Sequence, residues 1–154
     1  MLKNAAENGE VHGGMVSAPL NMHNDYSGFY FYSSHLAEVS ITIFGYNPKS
    51  VMAYENNDNV TAVVKYDNYI VTNHFLEGCY QSYQGVVMRK DKNYSREIDI
   101  SMCYKHECDV FVNMLHTGKS DISLRNLILP VFYLNAIEKS YKTGVEEKII
   151  IPEI

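Results

Sequence analysis

One histidine and two acidic residues are the side chains in this 154-residue sequence whose types and order suggest catalysis: His74, followed by Glu107 and Asp109. A carboxylate that binds one imidazole nitrogen fixes the tautomer and leaves the other nitrogen free to accept a proton. The order therefore predicts a general base, His74, oriented by an acid. The same residues also suit a plain structural role, with His74 at a strand end and Asp109 in a turn.

The stretch that leads to His74 has the pattern of a β-hairpin. Residues 60–65 and 69–72 are apolar and rich in β-branched side chains, and Asp67 and Asn68 lie between them. Asp and Asn tolerate the left-handed backbone angles of tight hairpin turns. The second strand of this hairpin would hold His74 near its end, where a rigid element can position a general base.

The rest of the chain favours short strands separated by polar turns. Val39, Ile41 and Ile43 alternate with polar residues, as on a half-buried strand. Other strand-like runs are residues 28–32, 51–54, 85–88, 97–102, 108–115 and 146–151. Residues 122–129 suit either a strand or a short helical turn, which Pro130 would end. Residues 133–141 suit a helix. This spacing is typical of antiparallel sandwiches and barrels. We predict an all-β protein with an N-terminal arm (1–26), a β-barrel domain (27–130) and a linker or start of a second subdomain (131–154).

Composition narrows the function classes. The net charge of -5 argues against nucleic-acid binding over the whole surface, but it permits a local basic patch. The polar start predicts no signal peptide, and no apolar run is long enough to span a membrane. Three cysteines without a secretory signal predict reduced thiols. We expect neither a cofactor nor a metal, because the Cys103, His106, Cys108 and His116 spacing is a poor zinc signature.

Three segments resemble the picornavirus-type 3C proteases, cysteine enzymes of chymotrypsin-like fold. Residues 62–74 resemble the strand, turn and strand that end in the catalytic histidine of that family, and residues 108–115 resemble the strand that opens with its catalytic acid. The resemblance implies an antiparallel chymotrypsin-like β-barrel in which His74 and Asp109 are catalytic. Residues 118–125 resemble the linker with which the family binds viral RNA. The residues that this implies for RNA binding are Lys119, Asp121, Ile122 and Arg125.

The nucleophile of that family has no counterpart in this chain. Its cysteine lies in a Gly-x-Cys-Gly loop of a second barrel, whereas no cysteine follows Cys108 here. Cys79, which lies close after His74, has no nearby pattern for an oxyanion hole. The resemblance thus implies a viral polyprotein-processing cysteine endopeptidase whose nucleophile-bearing half is absent from this chain. The implied partners are a polyprotein or peptide substrate, RNA and the missing second barrel, in the host cytoplasm.

Other classes of function remain open from the sequence. Tyrosine-rich strands with Lys119 and Arg125 also suit a non-catalytic β-barrel module that binds RNA or a viral partner protein. Residues 69–76 resemble a short motif of N-terminal-nucleophile amide hydrolases of the penicillin acyltransferase type, although no cysteine lies near the start. A structural coat-associated protein is the remaining alternative.

Overall fold

The chain folds into a mixed β-sheet with helices against one face. The structure is a computed structural model and describes residues 2–152. Within that range the helices are Leu2–Glu7 (α1), Phe29–Phe44 (α2), Cys103–Thr117 (α3) and Leu124–Thr143 (α4). The strands are Val11–Leu20 (β1), Ser50–Asn56 (β2), Asn59–Lys65 (β3), Ile70–Glu77 (β4), Tyr83–Arg89 (β5), Asn93–Ile98 (β6) and Glu147–Lys148 (β7). In this part of the chain, every helix is too short or too polar to cross a membrane.

The strand order is β6-β5-β1-β4-β3-β2-β7, so the N-terminal strand β1 lies in the interior of the sheet, third of the seven strands. It pairs with β4 in parallel, with Gly13 opposite Ile70 and Leu20 opposite Glu77. The other neighbouring strands are antiparallel. Antiparallel strands can be joined by tight turns, whereas a parallel pair needs a crossover. Here the crossover from β1 to β4 contains α2 and the β2–β3 hairpin.

The core lies between one face of the sheet and the helices α2 and α4. Alternate residues of the strands face it, among them Val64 of β3 and Phe75 of β4, and they meet Leu36 of α2 and Tyr133 of α4 in one buried cluster. The residues between them, such as Thr72, are half-buried on the opposite face of the sheet. Buried residues recur at every second position on the strands and at every third or fourth position on the helices. This is the pattern expected when helices pack on one face of a sheet.

The hairpin predicted around Asp67 and Asn68 is present. Strands β3 and β4 pair in antiparallel register, and the Tyr66 backbone N–H donates to the Tyr69 carbonyl at 2.9 Å. The preceding hairpin, β2–β3, turns at Asn57 and Asp58, whose φ angles are +50° and +63°. Two successive positive φ angles match the right-handed twist of the flanking strands.

The predicted all-β, chymotrypsin-like barrel is wrong, because three long stretches are helical. The two strands predicted at residues 28–32 and 39–44 fall, apart from Gly28, within the single helix α2, and residues 108–115, predicted as a strand, lie inside α3. Helix α4 continues through Pro130, where an end was predicted. The residues predicted as an N-terminal arm (1–26) contain α1 and β1, and the predicted boundary after residue 130 falls within α4.

Packing explains these differences. In α2, Leu36, Ala37 and Ile41 are buried on one side at helical spacing, and this burial outweighs the period-two pattern of Val39, Ile41 and Ile43. In α4, Pro130 lacks the N–H that would bond to the carbonyl four residues earlier, which costs about 3 kcal/mol. The burial of Leu129 and the apolar residues after Pro130 offsets this loss.

Candidate ligand-binding site

One edge of α2 carries polar side chains that can contact a ligand. Tyr32, His35 and Glu38 follow one another in steps of three, which places them on neighbouring positions of the helix surface. The Tyr32 and His35 rings lie edge to face, with centroids 6.1 Å apart. His35 is exposed, whereas Leu36 and Ala37 beside it are buried in the core. The core side of α2 therefore fixes the helix, and its outer edge presents the imidazole to solvent.

The loop before α2 is held by side-chain hydrogen bonds. The Asn24 side-chain oxygen accepts from the Tyr26 and Ser27 backbone N–H groups at 2.8 and 3.0 Å. Asn24 Nδ2 donates to the Gly28 carbonyl at 2.9 Å. The Met22 backbone N–H donates to the Glu77 carboxylate at 2.6 Å, which ties the loop to the end of β4. These bonds position the first turn of α2, and with it Tyr32.

Tyr83, the first residue of β5, is buried beside this edge of α2. Burial raises the pKa of its phenol, and the charges of Tyr32, Cys103 and Tyr104 raise it further. These side chains therefore share one electrostatic neighbourhood, made by α2, the start of β5 and the first turn of α3. A phenol with a raised pKa keeps its proton at neutral pH and serves as a hydrogen-bond donor.

Glu38 is linked to the same neighbourhood. Partial burial raises the pKa of its carboxyl, the charge of His35 lowers it, and the charge of Glu107 in α3 raises it again. The carboxyl is therefore easier to protonate than an ordinary glutamate. We call this set of residues the tyrosine–acid cluster; it consists of Tyr32, His35, Glu38, Tyr83, Tyr104 and Glu107.

An open groove of about 490 Å³ begins at Tyr83 and continues along the ends of β5 and β6. Its walls carry Ser82, Glu97 and Asp99. Asp99 accepts a hydrogen bond from the Ser101 backbone N–H at 2.9 Å, and this bond lowers the pKa of its carboxyl. Cluster and groove together offer hydroxyl, carboxylate and imidazole groups, which suit a ligand with many hydroxyls.

The histidine and the acid predicted to be catalytic have different partners. His74 is half-buried on the open face of the sheet, and its Nδ1 lies 3.1 Å from Thr61 Oγ1. Asp109 lies on α3, exposed, and accepts from Lys105 Nζ at 2.5 Å. Asp109 is therefore on a helix, not on a strand beside β4. Burial lowers the pKa of the His74 imidazole.

Cys79, the thiol that follows His74 in the sequence, is half-buried after β4, and burial raises the pKa of its thiol. A raised pKa makes a poorer nucleophile at neutral pH. Glu107, the alternative acid, belongs to the tyrosine–acid cluster.

The four residues predicted to bind RNA lie in the connection between α3 and α4 and in the first turn of α4. Lys119, Asp121 and Ile122 are exposed. Arg125 is also exposed, and its guanidinium donates to the Tyr46 carbonyl at 3.1 Å, so one of its donors is used within the chain. An RNA contact by these four residues stays a prediction.

The chain superimposes on several solved structures that are named as dehydrogenases. Myo-inositol 2-dehydrogenase from Lactobacillus plantarum superimposes with a TM-score of 0.80 at 13% identity, over 96% of this chain and 60% of its own. The WlbA dehydrogenase from Bordetella pertussis, in complex with NADH and UDP-GlcNAcA, gives a TM-score of 0.78 at 14% identity, over 98% of this chain and 61% of its own. Scyllo-inositol dehydrogenase from Lactobacillus casei, with bound NAD(H) and scyllo-inositol, gives a TM-score of 0.78 at 10% identity, over 96% of this chain and 59% of its own.

These likenesses define the α/β fold class of the chain. No protein-family model and no curated protein matches the sequence. The chain spans about 60% of the length of the dehydrogenases it superimposes on. The shared fold overturns the predicted resemblance to 3C proteases, and with it the predicted cysteine endopeptidase, the viral and hydrolase assignments, and the alternatives of a β-barrel binding module and an amide hydrolase.

The described residues do not fit the dinucleotide that is bound in two of these neighbours. A dinucleotide pyrophosphate lies on a Gly-x-Gly-x-x-Gly turn between a strand and a helix. Gly13 and Gly14 lie inside β1, and a Cβ on Gly14 would come within 2.2 Å of the Phe44 ring. That glycine therefore makes room for the protein's own core. The connection from β1 to α2 contains one glycine, Gly28. The described residues therefore lack the turn on which a dinucleotide pyrophosphate binds.

Proposed function

We propose that this chain is the ligand-binding sheet domain of an oxidoreductase, and that the tyrosine–acid cluster binds a cyclic polyol or a sugar. The observation that carries the proposal is the likeness of nearly the whole chain to dehydrogenases, two of them named for inositols and one solved with a nucleotide sugar.

The chemistry of the cluster supports this ligand class. Vicinal hydroxyls of a ring can donate to the Glu38 and Glu107 carboxylates and accept from the phenols of Tyr32 and Tyr104. Hydrogen bonds to charged groups are worth more than neutral ones. Such a set discriminates hydroxyl-rich rings from apolar ones, since a ring without hydroxyls would leave the carboxylates desolvated without compensation.

His35 is the residue that we propose to accept a hydrogen bond from a ligand hydroxyl. Its ring is exposed at the outer edge of α2 and lies against Tyr32. A neutral imidazole has one unprotonated ring nitrogen, which can accept such a bond. Glu38, on the next turn, is close enough for the charge of His35 to lower the pKa of its carboxyl, so one hydroxyl-rich ring could contact both side chains.

Calorimetric or NMR titration with myo-inositol, scyllo-inositol and a UDP-linked sugar tests the proposal. We expect His35→Ala and Glu38→Gln each to weaken binding by about 10-fold or more, the loss expected for a hydrogen bond to a charged group. His12→Ala and Glu10→Gln are matched controls, because these two exposed residues contact each other near the start of β1. Binding that is absent for all three ligands, or that is equal in site and control variants, would contradict the proposal.

A further inference from the structure

The loop before α2 has a second attachment, at the turn of the β2–β3 hairpin. His23 Nε2 donates a hydrogen bond to the Asp58 carboxylate at 2.9 Å. Met22, the residue before it, is held by the Glu77 carboxylate through its backbone N–H. Two neighbouring residues of this loop are therefore bound to two different parts of the sheet, and neither belongs to the tyrosine–acid cluster.

Hydrogen bonds join these two parts of the sheet to each other. The Asp58 backbone N–H donates to the Glu55 carboxylate at 2.9 Å, which closes the β2–β3 turn. Asn59 Oδ1 accepts from the Glu77 backbone N–H at 3.0 Å, which connects this turn to the end of β4. Asp58 and Glu77 thus belong to one hydrogen-bonded frame, and the loop before α2 is bound to that frame at two points.

Of the two attachments, the bond from His23 can change its charge near neutral pH. Carboxylates and backbone amides keep their charge between pH 6 and 8, whereas the ordinary pKa of an imidazole is about 6.5. A hydrogen bond from an imidazolium to a carboxylate is charge-assisted and is stronger than a bond from the neutral ring. The carboxylates around His23 are Asp58 and Glu55 of the β2–β3 hairpin, Glu77 of β4, and Asp25 two positions further along the loop.

We propose that His23 and Asp58 form a pH-operated clamp on the loop before α2, closed when the imidazole is protonated and released when it loses that proton. The loop leads directly into α2, and its Tyr26 ring stacks on Phe31 of that helix with centroids 4.9 Å apart. The clamp therefore acts on the start of α2. The bond from Met22 stays in place after release, so the loop loses one of its two attachments.

The pH range of the clamp follows from its surroundings. The hydrogen bond to Asp58 and the charge of Asp58 raise the pKa of His23, and the charge of Glu77 raises it further. A pKa that is higher in the folded protein than the ordinary 6.5 means that the stabilisation is fully present below pH 6.5. The stabilisation is lost as the pH rises through the raised pKa of His23.

NMR titration of the His23 ring between pH 5 and 9 tests the pairing in the protein without ligand. We expect the pKa of His23 to lie above 6.5 and to fall in Asp58→Asn, because the amide keeps an acceptor but carries no charge. Asn tolerates the positive φ of this turn position as Asp does, so the variant should keep the hairpin. Asp25→Asn is the matched control, because it removes the same charge from an exposed position of the same loop. A pKa at or below 6.5 in the wild type, or one that both variants lower equally, overturns the proposal.

Amide exchange with solvent, measured by NMR, tests whether the pair holds the loop. The Tyr26 and Ser27 N–H groups bond to Asn24 within the loop. We expect their protection factors, corrected for the intrinsic pH dependence of exchange, to fall as the pH rises from 6 to 8. The expected decrease is about 1.5- to 5-fold, the range for an ion pair whose two side chains are open to solvent.

The variants decide whether the clamp causes this change. In Asp58→Asn the protection should be low at both pH values, and in Asp25→Asn it should follow the wild type. Protection that does not change with pH in the wild type, or that changes equally in Asp58→Asn, overturns the proposal. Both measurements are made without ligand, so their outcome is separate from the function proposed for the tyrosine–acid cluster.

Discussion

Tyr133 connects two buried polar side chains across the core. Its hydroxyl accepts a hydrogen bond from Asn73 Nδ2 and lies 3.4 Å from Ser40 Oγ. All three residues are fully buried, and Asn73 Oδ1 has no partner within the described residues. Burial raises the pKa of Tyr133 to about 12, so the phenol is neutral at physiological pH. This network joins α2, β4 and α4 at one point.

Removing that hydroxyl should destabilise the protein. In Tyr133→Phe the Asn73 amide loses its remaining partner, and an unsatisfied buried amide costs about 1–3 kcal/mol. Urea unfolding should show this loss in the free energy of unfolding. Tyr141→Phe is the control, because the Tyr141 hydroxyl makes no hydrogen bond in the described chain and its removal should change stability little. Equal effects of the two substitutions would contradict the network.

A second residue-scale prediction concerns Gly14 on the interior strand β1. A Cβ at this position would lie 2.2 Å from the Phe44 ring and 2.7 Å from the Val86 carbonyl oxygen. Because one of these is backbone, Gly14→Ala should destabilise by about 1–3 kcal/mol, the usual range for overpacking. Gly13→Ala should cost less, since its Cβ would be 3.1 Å from the Ile70 carbonyl oxygen. Thermal unfolding of the two variants measures the difference, and the reverse order would contradict the packing described here.

His74 should make stability depend on pH. Burial lowers its pKa in the folded protein below the ordinary value of 6.5, so the unfolded chain binds a proton more readily. The contribution of the neutral imidazole to the free energy of unfolding is thus fully present above pH 6.5. It is lost as the pH falls through the lowered pKa of His74 in the folded protein. In urea unfolding between pH 5 and 8, His74→Gln should lose less stability on acidification than the wild type. If the free energy of unfolding depends on pH equally in both proteins, the burial of His74 does not lower its pKa and the prediction is wrong.

At the scale of elements, Pro130 is the most informative position. It lies inside α4, where its ring removes one backbone hydrogen bond to the carbonyl of Asn126. Pro130→Ala restores this donor and should raise the free energy of unfolding by about 1–3 kcal/mol. Val131→Ala, at the neighbouring exposed position, is the control and should have a small effect. If Pro130→Ala instead lowers the free energy of unfolding in urea, the prediction is wrong. The packing of the proline ring would then stabilise the fold by more than the restored backbone hydrogen bond does.

The sequence predicted some of these elements and missed others for physical reasons. The β3–β4 hairpin was predicted because its turn residues and its β-branched strands indicate the same structure. Helix α2 was missed because Val39, Ile41 and Ile43 alternate as on a strand, although the buried residues Phe29, Leu36 and Phe44 recur at helical spacing. The interior strand β1 was read as an arm because Gly13 and Gly14 suggest a loop, and their packing role depends on contacts distant in sequence.

The candidate site was missed for the same reason. On a strand, Tyr32 and His35 would point to opposite faces, because side chains alternate with period two. Only a helix brings both of them, together with Glu38, to one edge. The acidic partner Glu107 was noted in the sequence, but as a partner of His74, since nothing local indicated that α3 begins beside Tyr83.

At the scale of the whole molecule, the fold separates two surfaces. The helices α2 and α4 cover one face of the sheet and position the tyrosine–acid cluster at the outer edge of α2, whereas the opposite sheet face is half-exposed. A second groove, of about 400 Å³, lies at the other end of α2 and is lined by residues that include Lys3, Thr42 and Asn68. We propose that the ligand binds at the tyrosine–acid cluster and not in this second groove.

Amide chemical-shift mapping of the full chain during titration with myo-inositol tests this assignment most directly. We predict that the largest shifts occur in residues 29–38 of α2 and at the start of β5 around Tyr83, and that His35→Ala reduces them. Shifts confined to the groove around Lys3 and Asn68, or no shift at ligand excess, would contradict the account.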